Sequence, residues 1–231
     1  MAIWIVPESQ IRVLSLNYQE HLFRLFHERP LNRFSHYIGI PMALSTMYAA
    51  LPVSWAAAVA LAIALLHSAI AIRNRLWMMC AVAAAAQGML VTFGACILSP
   101  FYATPSSLWF SPWLHIIGWS FLQYSTHWLE PRIPEPWGTK PMMPKREWLR
   151  ERGFRHLFLA AVALPSHVLV EWVSSPRNLF LILLRLVHWC GYRSAVLQKM
   201  DEDLARLESA GPAVLRYDQF NAELARVESV P

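Results

Sequence analysis

Residues 53–75, VSWAAAVALAIALLHSAIAIRNR, run for twenty positions without a formal charge and then end in a basic turn. A bilayer core asks for about 20 residues of helix, and a helix of that length without charges reads as a membrane span. Similar apolar stretches occur at 34–55, 76–98 and 108–129, with shorter ones at 156–173 and 178–190. The chain of 231 residues is 56% hydrophobic and only 15% charged, against about 25% charged in an ordinary soluble domain. The expected fold is therefore all-α: a polytopic transmembrane bundle of four clear spans plus a shorter helical pair. Pro165 interrupts one short segment and Arg185 sits inside the other, so that pair is expected as a tilted or re-entrant hairpin whose Arg185 snorkels.

Lys and Arg set the orientation. Eighteen of the twenty fall before residue 34, in the 73–75 turn, in the 131–155 loop and after residue 191, and the intervening loops LPVS and SPFYATPSS carry none. Positive charge concentrates on the cytosolic side of membrane proteins, so both termini are expected there. The membrane would be the inner one for a bacterial chain and the endoplasmic reticulum for a eukaryotic one. The net charge of +5 follows from this topology, and no motif or basic face points to a nucleic-acid partner. The opening MAIWIVPESQ has no basic leader or long apolar core, so the first span is expected to act as its own insertion signal. Cys80, Cys96 and Cys190 lie in apolar segments without Cys-x-x-Cys spacing and read as small hydrophobes.

Two amphipathic regions flank the spans. Ile11, Leu14, Tyr18, Leu22 and Leu25 recur at helical spacing, which predicts a surface helix on the cytosolic face. Pro30 should end it near Glu28, with Asn32 placed to cap the next helix. Residues 194–231 carry two further apolar stripes around a Gly211-Pro212 break and form an amphipathic cytosolic tail, with packing or homo-oligomerisation as its default role. Residues 1–193 form the membrane-embedded unit.

The histidines concentrate at one depth. Under this topology His21, His27, His36, His67, His127, His156 and His188 lie at or near the cytosolic face, and His115 and His167 lie elsewhere. Continuous helix would turn His27 and His36 half a revolution apart, but the break at Pro30 lets them converge. Ser120, Gln123, His127 and Glu130 recur at steps of three and four and make one polar face on the fourth span, which must turn toward the bundle interior. His27, His36 and His127 are thus the leading metal ligands, one drawn from each of several segments. His67 follows the Ala56, Ala60 and Ala64 stripe and is either a fourth ligand or a packing histidine. Gln123, one turn before His127, is placed to orient that imidazole. His156 and His188 read as interfacial, His21 as a surface-helix residue and Glu171 as a structural carboxylate. Imidazole-rich sites suit iron, zinc, copper and nickel alike. Desaturase-type histidine boxes, nucleophile elbows, phosphate loops and dinucleotide fingerprints are absent from the sequence.

Two blocks carry a family resemblance. FHERPLNRFSHYIGIP, with His27, Asn32, His36 and Pro41, resembles the opening of small membrane proteins typified by fungal 2-hydroxy-fatty-acid dioxygenases. IGWSFLQYSTHWLEPRIP is similar to that family's second block, through Gly118, Trp119, Gln123, His127, Glu130, Arg132 and Pro134. A third segment, LPSHVLVEW followed by GYR, resembles the closing block. Thr126 stands where the family has glycine, and Glu130 follows His127 one residue early. The resemblance implies an Fe(II)-dependent dioxygenase that shortens 2-hydroxy fatty acids by one carbon using O2, with catalytic and metal-binding His27, His36 and His127. It adds Asn32 and Glu130 around the ligands and leaves open whether His67 or Glu130 is itself one. Arg132 or Arg33 would hold the substrate carboxylate, and either can instead meet lipid headgroups. A non-catalytic membrane organiser and a different lipid- or terpenoid-modifying enzyme are the rival readings.

Overall fold

The structure is a computed structural model. It describes residues 29–103, 111–127, 129–130, 132–134, 142–144 and 164–192, together with 16, 19–20, 23, 27, 150, 198–199, 201–202 and 205; for 124, 132–134, 142–144 and 164–174 the backbone alone is described. Helix α1 covers Pro30–Ala50, α2 Val53–Arg73, α3 Met78–Tyr102, α4 Pro112–His127 and α5 Leu164–Trp189. Strands β1 (Arg132–Pro134) and β2 (Met142–Pro144) pair antiparallel with Ile133 opposite Met143. The fold is helical as expected, and this three-residue ladder is a small local addition to it. Pro134 and Pro144 close the two strands, and each lacks the N–H that a helical turn needs.

Two helices, α2 and α3, are long and apolar enough to cross a bilayer. Over the most apolar 18 residues of each, only 33% of α2 and 22% of α3 are buried within the protein, whereas the core helix of a soluble domain would be mostly covered. Each of the four expected spans carries a helix among the described residues, but two of these helices fall short as spans by length and composition. In α1 the first two turns hold Asn32, Arg33, Ser35 and His36, and α4 is 16 residues long, about 24 Å at 1.5 Å per residue.

Helix α2 shows why the sequence folds this way. Ala56, Ala60, Ile63, His67 and Ile70 form its buried face, while Trp55, Leu61 and Leu65 stand exposed. Ala56 and Ala60 let the first half of that face come close to its neighbours, as helix contact in an apolar solvent favours, and Ile63 and Ile70 fill the second half. α2 ends in a tight reversal into α3. Leu76 N–H reaches the Ala71 carbonyl at 2.8 Å and Arg75 N–H the Ile72 carbonyl at 3.1 Å, with Arg75 in the left-handed region at φ 56°. This is a Schellman ending, closed by the apolar pair Ala71 and Leu76. α5 ends the same way with glycine in the left-handed position, Gly191 at φ 97°.

α1 lies along α4, and α2 along α3. Two glycines set the approach of α1 to its neighbours. A Cβ on Gly39 would stand 2.9 Å from the Gln123 side chain, and one on Gly94 would stand 2.6 Å from the Ser45 carbonyl. The core forms two clusters. One gathers Leu16, Phe23, Ile70, Leu76, Met79, Phe180 and Leu184; the other gathers Ile40, Leu44, Tyr48, Ala56, Ala60, Ile63 and Leu179. The first ties the N-terminal segment, the α2–α3 turn and the second half of α5 together at one end of the bundle.

Three expectations change here. From Leu164 onward the last two apolar segments are one helix, since α5 runs through Pro176 without a hairpin. Arg185 is ion-paired with Glu20 and, at 3.2 Å, with Asp201, so its charge is met by protein carboxylates and it does not snorkel to the membrane surface. Asn32 is not the cap of α1. That position belongs to Arg29, with Pro30 opening the first turn, where a missing N–H costs nothing. The predicted N-terminal stripe of Ile11, Leu14, Tyr18, Leu22 and Leu25 lies outside the described residues, as does most of the tail after 194.

Candidate metal centre

The break at Pro30 does what the sequence requires of it. His27 sits in non-helical backbone before α1, and Arg29 is extended at ψ 136°. The chain therefore folds His27 back over the first turns of α1, where His36 points the same way. His127, at the last residue of α4, arrives from the antiparallel neighbour. The ring centroids of His27 and His36 lie 4.1 Å apart, those of His27 and His127 4.8 Å, and those of His36 and His127 5.1 Å. One ligand atom from each lies within 4.8 Å of the others, and among the described residues this is the one such group of His, Cys, Asp or Glu.

Each ring is held through Nδ1. His27 Nδ1 meets the Phe23 carbonyl at 2.5 Å, and its ring stacks on Phe23 at 4.2 Å. His36 Nδ1 meets the Asn32 carbonyl at 2.9 Å. A carbonyl accepts, so these two rings carry their proton on Nδ1 and present the Nε2 lone pair. All three Nε2 atoms are buried, and that of His27 has no hydrogen-bond partner. A metal-ligating histidine is commonly fixed in this manner, its second nitrogen tied to a carbonyl or carboxylate.

His127 differs. The Asn32 amide approaches its Nδ1 at 3.3 Å while also donating to Glu130 at 2.8 Å. An amide N–H on Nδ1 leaves the ring proton on Nε2. Ligation through Nε2 therefore requires that proton to move to Nδ1 and the Asn32 amide to commit to Glu130, its nearer partner.

Asn32 is the hub of the surrounding network. Its amide oxygen accepts from the Thr126 hydroxyl at 2.8 Å, and its backbone carbonyl accepts from Ser35 at 2.7 Å. The Ser35 and Thr126 hydroxyls are themselves 2.7 Å apart. Glu130 takes the Arg29 backbone N–H on both oxygens, at 3.0 and 3.1 Å. These bonds lock the end of α4 to the start of α1, so the two histidine-bearing blocks meet although nearly a hundred residues separate them. Arg33 adds a clamp by donating from Nε to the His27 carbonyl at 2.7 Å.

Burial, then the neighbouring His36 and His127, and then Arg33 push the His27 pKa well below its ordinary 6.5. The ring is neutral at physiological pH, which is the state a metal ligand needs. An all-imidazole donor set with one orphaned buried nitrogen and carbonyl-anchored rings fits a first-row divalent ion.

Several predicted site residues stand elsewhere. His67 is not a fourth ligand; its Nε2 meets the Pro176 carbonyl at 2.5 Å and its ring lies against Phe180. Gln123 is buried on the expected face, but its amide donates to the Trp119 carbonyl at 3.3 Å and does not orient His127. Glu130 stands beside the three histidines and outside their group, both its oxygens accepting hydrogen bonds from α1 and the residue before it. His115 pairs with Tyr102 at 2.7 Å. The side chains of Arg132, His167 and Glu171, and residues His21 and His156, lie outside what is described. Phe23, Ser35 and Thr126 were not anticipated. The one available signal is that Ser35 and Thr126 each precede a histidine of the cluster and share the buried side of its helix. Comparison of the chain with protein-family models, with curated proteins and with solved structures finds no match.

Proposed function

We propose that the chain is an integral membrane, Fe(II)-dependent dioxygenase acting on 2-hydroxy fatty acids, with His27, His36 and His127 as the iron ligands. The observation that carries this reading is the convergence of the three imidazoles, each held through Nδ1. The resemblance of the two blocks to the 2-hydroxy-fatty-acid dioxygenases supports the choice of chemistry, and the Asn32–Glu130 bond joins those same blocks. In this reading α1 and α4 cross the bilayer beside α2 and α3, and the termini and histidines lie at the cytosolic face.

Ferrous iron, when bound, supplies O2 activation and Lewis acidity. The protein's own part is to present neutral imidazoles, exclude competing ligands by burial, and hold the acid by its head while the acyl chain stays in lipid. Arg33 and Arg132 are the cations assigned to the carboxylate, Arg33 being exposed beside His27. The overall reaction balances without a further reductant: R–CH(OH)–COOH plus O2 gives R–COOH, CO2 and H2O. The lipid acid loses four electrons and O2 takes up four.

The test is iron stoichiometry and 2-hydroxy-fatty-acid turnover in detergent. Alanine at His27, His36 or His127 should abolish both, whereas His67→Ala and His115→Ala should keep iron. Iron without one-carbon shortening would favour another lipid- or terpenoid-modifying enzyme on this scaffold. No iron in the unmodified protein would favour a membrane organiser.

A further inference from the structure

Gln123 is a buried polar group on α4 that the histidine network leaves out. Its side chain is 2% exposed, and its Oε1 is buried with no hydrogen-bond partner. The orientation of the amide follows from its other end: Nε2 donates to the Trp119 carbonyl, and a flipped amide would set oxygen against oxygen there. The acceptor is therefore the unsatisfied end. The hydroxyls on the same stretch of α4 are committed elsewhere, Ser120 to the Ile116 carbonyl at 2.9 Å and Thr126 to Asn32 and the Gln123 backbone.

Its place relative to the histidines gives that orphan a meaning. Gln123 precedes His127 by one turn on α4, and its side chain packs on Gly39, three residues beyond His36 on α1. The amide thus lies one turn deeper along both helices than the ligands they carry. An acyl chain that enters from the bilayer with its carboxylate at the histidine level holds C2 on the deeper side. A neutral acceptor at that depth takes a hydroxyl hydrogen and repels a carboxylate.

We propose that Gln123 Oε1 accepts the hydrogen of the substrate's 2-hydroxyl, making Gln123 the residue that distinguishes 2-hydroxy acids from unsubstituted fatty acids. The assignment rests on the proposed dioxygenase reading. Gly39 is part of the device, because any side chain there would displace the amide.

The test is anaerobic binding of 2-hydroxypalmitate and of palmitate to the iron-loaded protein in detergent, with iron content measured alongside. The unmodified protein should prefer the hydroxy acid roughly tenfold, about the value of one good hydrogen bond. Gln123→Met, of similar length but without the acceptor, should keep its iron and bind both acids as weakly as the parent binds palmitate. Gly39→Ala should lose the preference independently, by pushing on the amide, and covers the case in which the methionine variant fails to fold. Retention of the preference in either iron-loaded variant overturns the assignment of Gln123 while leaving the dioxygenase reading intact. Failure of the unmodified protein to prefer the hydroxy acid, with no turnover of it, overturns both.

Discussion

The side-chain amide of Asn32 donates to Glu130 at 2.8 Å, joining the first turn of α1 to the residues just past α4. The same asparagine holds His36 through its backbone carbonyl and touches His127 through its amide, so one residue fixes two of the three imidazoles. Replacing it by leucine should lower iron affinity about 10- to 100-fold, the usual cost of losing a partner that orients a ligand. It should also destabilise the protein by roughly 1–3 kcal/mol, because buried Glu130 loses a donor. A chelator competition and a detergent melt measure the two effects. Iron affinity within about twofold of the parent would show that the network only braces the helices.

Much of this centre is legible in the sequence because its signals are local. Pro30 ends one segment and opens the next wherever it stands in a helical pattern, and that alone brings His27 over His36. A polar stripe on α4 stands out in apolar sequence, and Ser120, Gln123 and Glu130 are indeed buried. What could not be read are partners chosen across the fold. His67 finds the Pro176 carbonyl 109 residues away, and Arg185 finds Glu20 across 165. Gln123 shares the face of His127 but turns toward Gly39, a choice that depends on how closely α1 approaches. Asn32 has the chemistry of a cap, yet its neighbours across the α1–α4 contact offer better use for its amide.

Acid should weaken the metal-free protein. Burial holds the His27 pKa well below 6.5 in the folded state, while the unfolded chain protonates near that ordinary value. The unfolded state then binds more protons as pH drops, so this contribution to stability is complete above about 6.5 and is lost progressively as pH falls toward the folded pKa. Melts of metal-free protein from about pH 8 to 5 should show a falling Tm. His27→Leu, which keeps an apolar group against Phe23, should flatten that slope. An unchanged slope would mean the ring is charged or solvated in the fold.

Helix approach at Gly94 should be intolerant of any side chain. A Cβ there would lie 2.6 Å from the Ser45 carbonyl and 3.2 Å from the Ala49 nitrogen, both backbone atoms that cannot turn aside. Gly94→Ala should cost roughly 1–3 kcal/mol by overpacking. Gly88→Ala, on the same helix with open space around it, should be neutral or stabilising, since alanine is the better helix former by about 1 kcal/mol. Equal effects in a detergent unfolding titration would mean that α1 and α3 do not pack as described.

Topology gives the last expectation, and it bears on the proposed depth of the histidines. Glu130 lies against Arg29, so the start of α1 and the end of α4 share one end of the bundle, and the first core cluster adds the α2–α3 turn to that end. Ser54 opens α2 at the opposite end and is exposed. In a cysteine-free background, Arg33→Cys and Arg73→Cys should react together with an impermeant thiol reagent from the cytosolic side of sealed vesicles, and Ser54→Cys only from the other side. Labelling of Arg33→Cys and Ser54→Cys from the same side would mean that α1 does not cross the membrane. The three histidines would then lie on a surface-bound helix pair, and a substrate entering from the bilayer would have no deeper turn in which to meet Gln123.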